Sequence, residues 1–156
     1  LENGTRSLQD RFAGYRRACE GLLGSVDPSL TRRVDYLSED LYLSAALDLL
    51  RQRDRPTAIF ASHDLIALSV YRAAGQLGLD IPGDLSVVGF DDLDVAESMT
   101  PPLTTVRQPI GEMCRMMVKL LTRRIAGKNP QPRLRKTATQ LIERGSCGKA
   151  PEGLAG

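Results

Sequence analysis

The chain has 156 residues, 42% hydrophobic, 26% charged and 4% aromatic, with a formal net charge of +2. This is the length and composition of one ordinary folded domain, and it excludes disorder and collagen-like repeats. No apolar run approaches the ~20 residues that span a bilayer, and no charged-then-apolar leader opens the chain, so neither a membrane-spanning nor, as given, a secreted protein is expected.

The first residue is Leu1 rather than Met, which fits a processed or excised piece. The cysteines Cys19, Cys114 and Cys147 are scattered and odd in number, so no disulfide framework is expected and the compartment reads as the reducing cytosol. With His63 as the sole histidine, a structural zinc site lacks soft ligands, and no metal or other cofactor is expected. Charge is unevenly spread. Between Arg72 and Arg107 every charged residue is acidic, and between Glu112 and Glu143 every one is basic. The basic block has no interleaved aromatics, which argues against single-strand stacking, and such blocks are ordinarily solvated faces.

In chain order, residues 8–23 predict an amphipathic helix, with Leu8, Phe12, Tyr15, Cys19 and Leu22 or Leu23 on one face and Gly24 as its stop. Residues 33–37 predict a short strand. Asp40 is placed to cap a helix over residues 41–53 that buries Leu43, Ala46, Leu47 and Leu50, and Pro56 ends it. The apolar run 57–61 predicts a strand buried on both faces, followed by a helix that starts near Ser62 or Asp64 and finishes at Gly78. Residues 81–84 make a turn and 85–90 the next buried strand, which completes a right-handed βαβ unit.

Residues 91–100 form an acidic loop or short helix, and Pro101 and Pro102 block regular structure before the β-branched run 103–106. Pro109 opens a helix through Met113, Met116 or Met117, Leu120 and Leu121 to Ile125, ending at Gly127. A stiff connection at Pro130 and Pro132 leads to a final strand over 134–143, and the glycine- and proline-bearing stretch 145–156 reads as a frayed tail. The fold class is therefore α/β with a parallel sheet and flanking helices.

In open α/β sheets ligands bind beyond the carboxyl ends of the strands, which singles out Ser62, His63 and Asp64 after the first run and Asp91 and Asp92 after the second. Helix capping accounts for Ser62 and Asp64 but not for His63. Consecutive Ser, His and Asp side chains diverge and cannot form a hydrolytic relay, and no GxSxG elbow occurs. Asp91 and Asp92 could hold Mg²⁺, as in a phospho-acceptor domain, but the lysine such a domain needs after a later strand is replaced by Arg107. Neither GxxxxGK[ST] nor GxGxxG is present. What remains is reversible hydrogen bonding to a small polar ligand, and no enzymatic activity is expected.

Five strings then accumulate in one order: residues 11–18 (RFAGYRRA), 56–64 (PTAIFASHD), 78–92 with its IPGDLSVVGFDD, 101–109 (PPLTTVRQP) and 141–146 (LIERGS). Together they resemble the effector-binding region of the LacI/GalR family of bacterial transcriptional regulators, over roughly residues 6–146.

The resemblance implies a periplasmic-binding-protein-like fold of two α/β lobes with a sugar or nucleobase-like effector in the cleft. It also implies a separate helix-turn-helix domain that reads DNA, absent from this chain. Residues 1–146 correspond mainly to the second lobe, with the first lobe largely absent and residues 147–156 a flexible tail. The helix after Pro109 is the one that would cover the missing lobe's sheet. By matched position Arg11 resembles the effector-gripping arginine and Asp91 the ligand carboxylate. His63 stands where asparagine is common, and Tyr42 is the loosely aligned aromatic contact. The family dimerises through this lobe, which makes Leu68, Tyr71 and Met99 interface candidates.

The expected function is allosteric: effector binding shifts lobe orientation and so DNA affinity, in a cytoplasmic homodimer with no membrane partner. Two alternatives are a transporter's solute-binding protein of the same fold and a Mg²⁺-dependent enzyme built on Asp91 and Asp92.

Overall fold

The computed structural model describes residues 6–34, 38–128 and 136–149. In chain order these form α1 (Arg6–Leu23), a 3-10 turn (Pro28–Leu30), α2 (Glu39–Leu50), β1 (Ala58–Phe60), α3 (Asp64–Leu77), β2 (Ser86–Asp91), α4 (Asp94–Ser98), β3 (Thr104–Arg107), α5 (Ile110–Ile125) and β4 (Gln140–Ile142). The fold is mixed α/β, as the hydrophobic periodicity predicts.

The four strands lie in the order β1-β2-β3-β4. The first three are parallel, with Phe60 opposite Val88 and Val88 opposite Thr104. β4 runs antiparallel to β3, Val106 opposite Leu141. Val87, Leu85 and Leu103 are fully buried and join Ala67, Val70, Ala73 and Ala74 of α3 and Ala46 and Leu50 of α2 in one core. Each large apolar side chain so buried contributes roughly 1.5–3 kcal/mol.

Several expectations are corrected. β1 is not buried on both faces: among the described residues it is the sheet's end strand, with Ala58 exposed and Phe60 38% exposed. An apolar run reports a preference for burial, but only the neighbours supply it. Asp40 is not a cap, because α2 begins at Glu39 after Ser38, and Glu39 and Asp40 stand in its first turn, where carboxylates complement the helix dipole. α2 closes at Leu50 rather than Arg53. The expected strand over 33–37 shows no ladder through Val34, and its remainder lies outside the described residues, as do Pro130, Pro132 and the start of the expected final strand.

The stretch after Gly145 does not begin as a frayed end. Ser146 is fully buried; its hydroxyl donates to the Val87 carbonyl at 2.6 Å and accepts from the Thr104 N–H at 2.8 Å. Gly148 N–H reaches Ser86 Oγ at 3.1 Å. These bonds tie residues 146–148 across β2 and β3, so the polar composition of the segment serves cross-linking rather than solvation.

Candidate functional site

Parallel strands bring their carboxyl ends to one edge of the sheet, and three of them do so here. Ser62 and His63 follow β1, Asp91 ends β2, and Gln108 follows β3. Arg11 arrives from α1, 80 positions before Asp91.

The Asp91 carboxylate is the centre. Its Oδ1 accepts from Arg11 Nη2 at 3.1 Å and from Gln108 Nε2. Its Oδ2 lies 3.1 Å from His63 Nε2. The side chains of Arg11, His63 and Asp91 are 12%, 14% and 14% exposed, so these contacts are largely shielded from water. Arg11 Nη1 also donates to the Ser62 carbonyl, and its guanidinium lies over the Phe90 ring, 3.7 Å from the centroid, in cation–π geometry. Arg11 Nε is buried with no acceptor among the described residues. Asp91 and Asp92 both take positive φ, 108° and 57°. Non-glycine residues held there cost about 1–3 kcal/mol each, and the donors gathered on both carboxylates hold them in place.

The two neighbouring aspartates are not a pair. Asp92 accepts from Arg107 Nε and, at 2.7 Å, from Arg144 Nη2, which also reaches Glu97 at 3.0 Å, while Arg144 Nη1 donates to the Leu103 carbonyl at 2.9 Å. Burial, the strongest influence on Asp92, pushes its carboxyl up, but the hydrogen bonds and charges of Arg107 and Arg144 outweigh it and hold the group below its ordinary value. With guanidinium groups on both carboxylates, the shared Mg²⁺ site weighed for Asp91 and Asp92 has no free oxygen pair to offer.

His63 does have a capping role, contrary to the sequence reading. It is the residue before α3, and its Nδ1 accepts the Leu65 N–H at 3.2 Å. Asp64, expected as a cap, is instead wholly buried: Oδ1 accepts from Thr105 Oγ1 at 2.6 Å and Oδ2 from the Leu93 N–H at 2.8 Å. It braces β3 and the loop after Asp92 against α3.

Tyr42 is 6% exposed on α2 and lines an apolar hollow of about 660 Å³ beside β1, with Phe12, Tyr15, Ile59 and Val34; Arg11, His63 and Asp91 are not among its walls. Of the interface candidates, Met99 is 6% exposed and packed in the core, so it offers little surface to a second chain. Leu68 and Tyr71 pack against the same core, with Tyr71 donating to the Pro101 carbonyl at 2.9 Å. Gln108, Phe90 and the Ser62 carbonyl were missed. Gln108 was findable, because it follows a strand of the same parallel set. The other two depend on where Arg11 lands.

The periplasmic binding protein-like domain family matches residues 2–147. The chain belongs to the effector-binding region of LacI/GalR-type regulators. It is similar to the HTH-type transcriptional repressor PurR of Escherichia fergusonii, 35% identical over 141 residues, covering 90% of this chain and 41% of that protein. Among solved structures it resembles a LacI-family regulatory protein from Chloroflexus aggregans, with a TM-score of 0.82 at 32% identity over 90% of this chain and 50% of that one. It also resembles the transcriptional regulator CelR in complex with cellobiose, with a TM-score of 0.81 at 36% identity over 87% of this chain and 41% of that one. The chain thus spans less than half the length of the curated repressor it matches. No helix among the described residues is long and apolar enough to cross a membrane.

Proposed function

We propose that this chain is the small-molecule-binding part of a LacI-type transcriptional regulator, not an enzyme, and that Arg11, His63 and Asp91 form half of the effector cradle. The observation that carries this reading is their convergence, with Gln108, at the carboxyl edge of three parallel strands. An arginine fork and a carboxylate side by side donate to and accept from one small polar ligand, such as a sugar or a nucleobase. CelR was solved with cellobiose, which favours a sugar among the candidates. Tyr42 joins the cradle on the resemblance alone.

Residues 1–146 act as most of one lobe. In the intact regulator, effector binding changes the equilibrium between lobe orientations and thereby the DNA affinity of a separate domain. The intact protein acts as a homodimer in the cytoplasm.

The test is a thermal-shift panel on the intact protein with cellobiose, ribose, galactose, hypoxanthine and guanine. A ligand that binds the folded state raises Tm by mass action. One compound raising Tm in the wild type, and not in Asp91→Asn, supports the reading. A shift that survives Asp91→Asn, or no shift across the panel, overturns it.

A further inference from the structure

His63 is the sole histidine of the chain, and both its ring nitrogens are engaged. Nδ1 accepts the Leu65 N–H at 3.2 Å, and Nε2 stands 3.1 Å from Asp91 Oδ2. A neutral imidazole carries one proton, and a nitrogen that accepts a hydrogen bond cannot bear it. Acceptance at Nδ1 therefore assigns the proton of the neutral ring to Nε2, the nitrogen 3.1 Å from the carboxylate.

We infer that His63 serves the cradle as a positioning residue: it fastens the Asp91 carboxylate to the amino end of α3. The inference rests on the reading of Asp91 as an effector group. Three donors hold Asp91, and they differ in how they are anchored. Arg11 reaches in on a long side chain from another helix, and Gln108 follows β3 on a side chain of three rotatable bonds. His63 is short, shielded, and fixed on its far side by a backbone amide of α3. A ligand hydroxyl can take the place of Arg11 or Gln108 on Oδ1, but displacing His63 from Oδ2 would also release the cap of a 14-residue helix. The need for such an anchor is visible in the backbone, because Asp91 sits at φ 108°.

The test uses the single imidazole as its own reporter, in ¹⁵N-labelled chain without ligand. Long-range ¹H–¹⁵N correlation at neutral pH is expected to show one tautomer, protonated at Nε2 and bare at Nδ1. An Nδ1-protonated or averaged ring overturns the inference.

His63→Asn separates capping from positioning. Asparagine caps a helix as well as any residue but is too short to reach Asp91 at the same time. It is expected to preserve α3 amide protection while shifting the Gln108 side-chain amide and Arg11 guanidinium signals. In the intact protein it weakens the panel ligand about tenfold. If those signals and the affinity stay at wild-type values, His63 is only a cap. If no panel compound binds at all, the effector reading fails on its own, and the tautomer and signal shifts still decide the positioning role.

Discussion

The Arg11 guanidinium and the Asp91 carboxylate, 80 positions apart, meet at 3.1 Å with their side chains only 12% and 14% exposed. Arg11 serves two acceptors at once, Asp91 and the Ser62 carbonyl, and stacks on Phe90. A lysine ammonium cannot reproduce that fork or that stacking. Arg11→Lys is therefore expected to abolish the ligand-induced rise in Tm nearly as fully as Arg11→Ala, while costing about 1–3 kcal/mol of stability by urea denaturation. Ligand response retained in Arg11→Lys would show that charge alone is read.

Asp92 lies on the other side of the same turn and predicts a pH effect. Its folded-state carboxyl sits below the ordinary value, so the unfolded chain binds the proton more readily. The stabilisation is complete above the unfolded value of about 3.9 and is lost as pH falls through the folded one. Asp92→Asn is expected to cost about 1–3 kcal/mol at pH 7, since it removes the charge partner of the shielded Arg144 guanidinium, while the half-exposed Arg107 turns to water. The gap to wild type should narrow as denaturation is repeated toward pH 3. A gap of constant size would mean that the carboxyl is not the origin of the effect.

Gly89 is the position of closest approach in the sheet. A Cβ there would stand 2.2 Å from Asp64 Oδ1 and 2.8 Å from Leu103 Cδ2, both in fully buried side chains. Neither can withdraw, because Asp64 is bonded on both oxygens. Gly89→Ala is expected to lose about 1–3 kcal/mol by overpacking, and to perturb the Thr105 hydroxyl, read as faster amide exchange in β3.

The outer face of α5 predicts self-association. Ile110, Met117, Leu121 and Ile125 recur at helical spacing and are 54%, 59%, 61% and 79% exposed, with none of the helix buried. Each such side chain left wet forgoes roughly 1.5–3 kcal/mol. Light scattering over a concentration series should show mass rising above the monomer, and Leu121→Glu with Ile125→Glu should return it to the monomer. A mass that stays monomeric at every concentration would refute the prediction.

The order of helices and strands was legible in the sequence because its causes are local. Apolar residues at three- and four-residue steps, β-branched runs, Gly78 in the left-handed region after α3 and Pro109 before α5 each act on their own neighbourhood. The edge of the sheet where polar groups gather was legible too, since βα alternation sends strand ends one way, and Arg11, His63 and Asp91 do meet there.

The tertiary structure decided how the groups there are paired. Asp91 and Asp92 are adjacent and chemically identical, yet one faces Arg11 and His63 and the other Arg144, because successive residues at the end of a strand diverge and the partners come from 80 and 52 positions away. The burial of Asp64 and Ser146 and the exposure of β1 likewise depend on what packs alongside them. Local composition fixes which groups a chain can offer; only the register of distant segments fixes which of them touch.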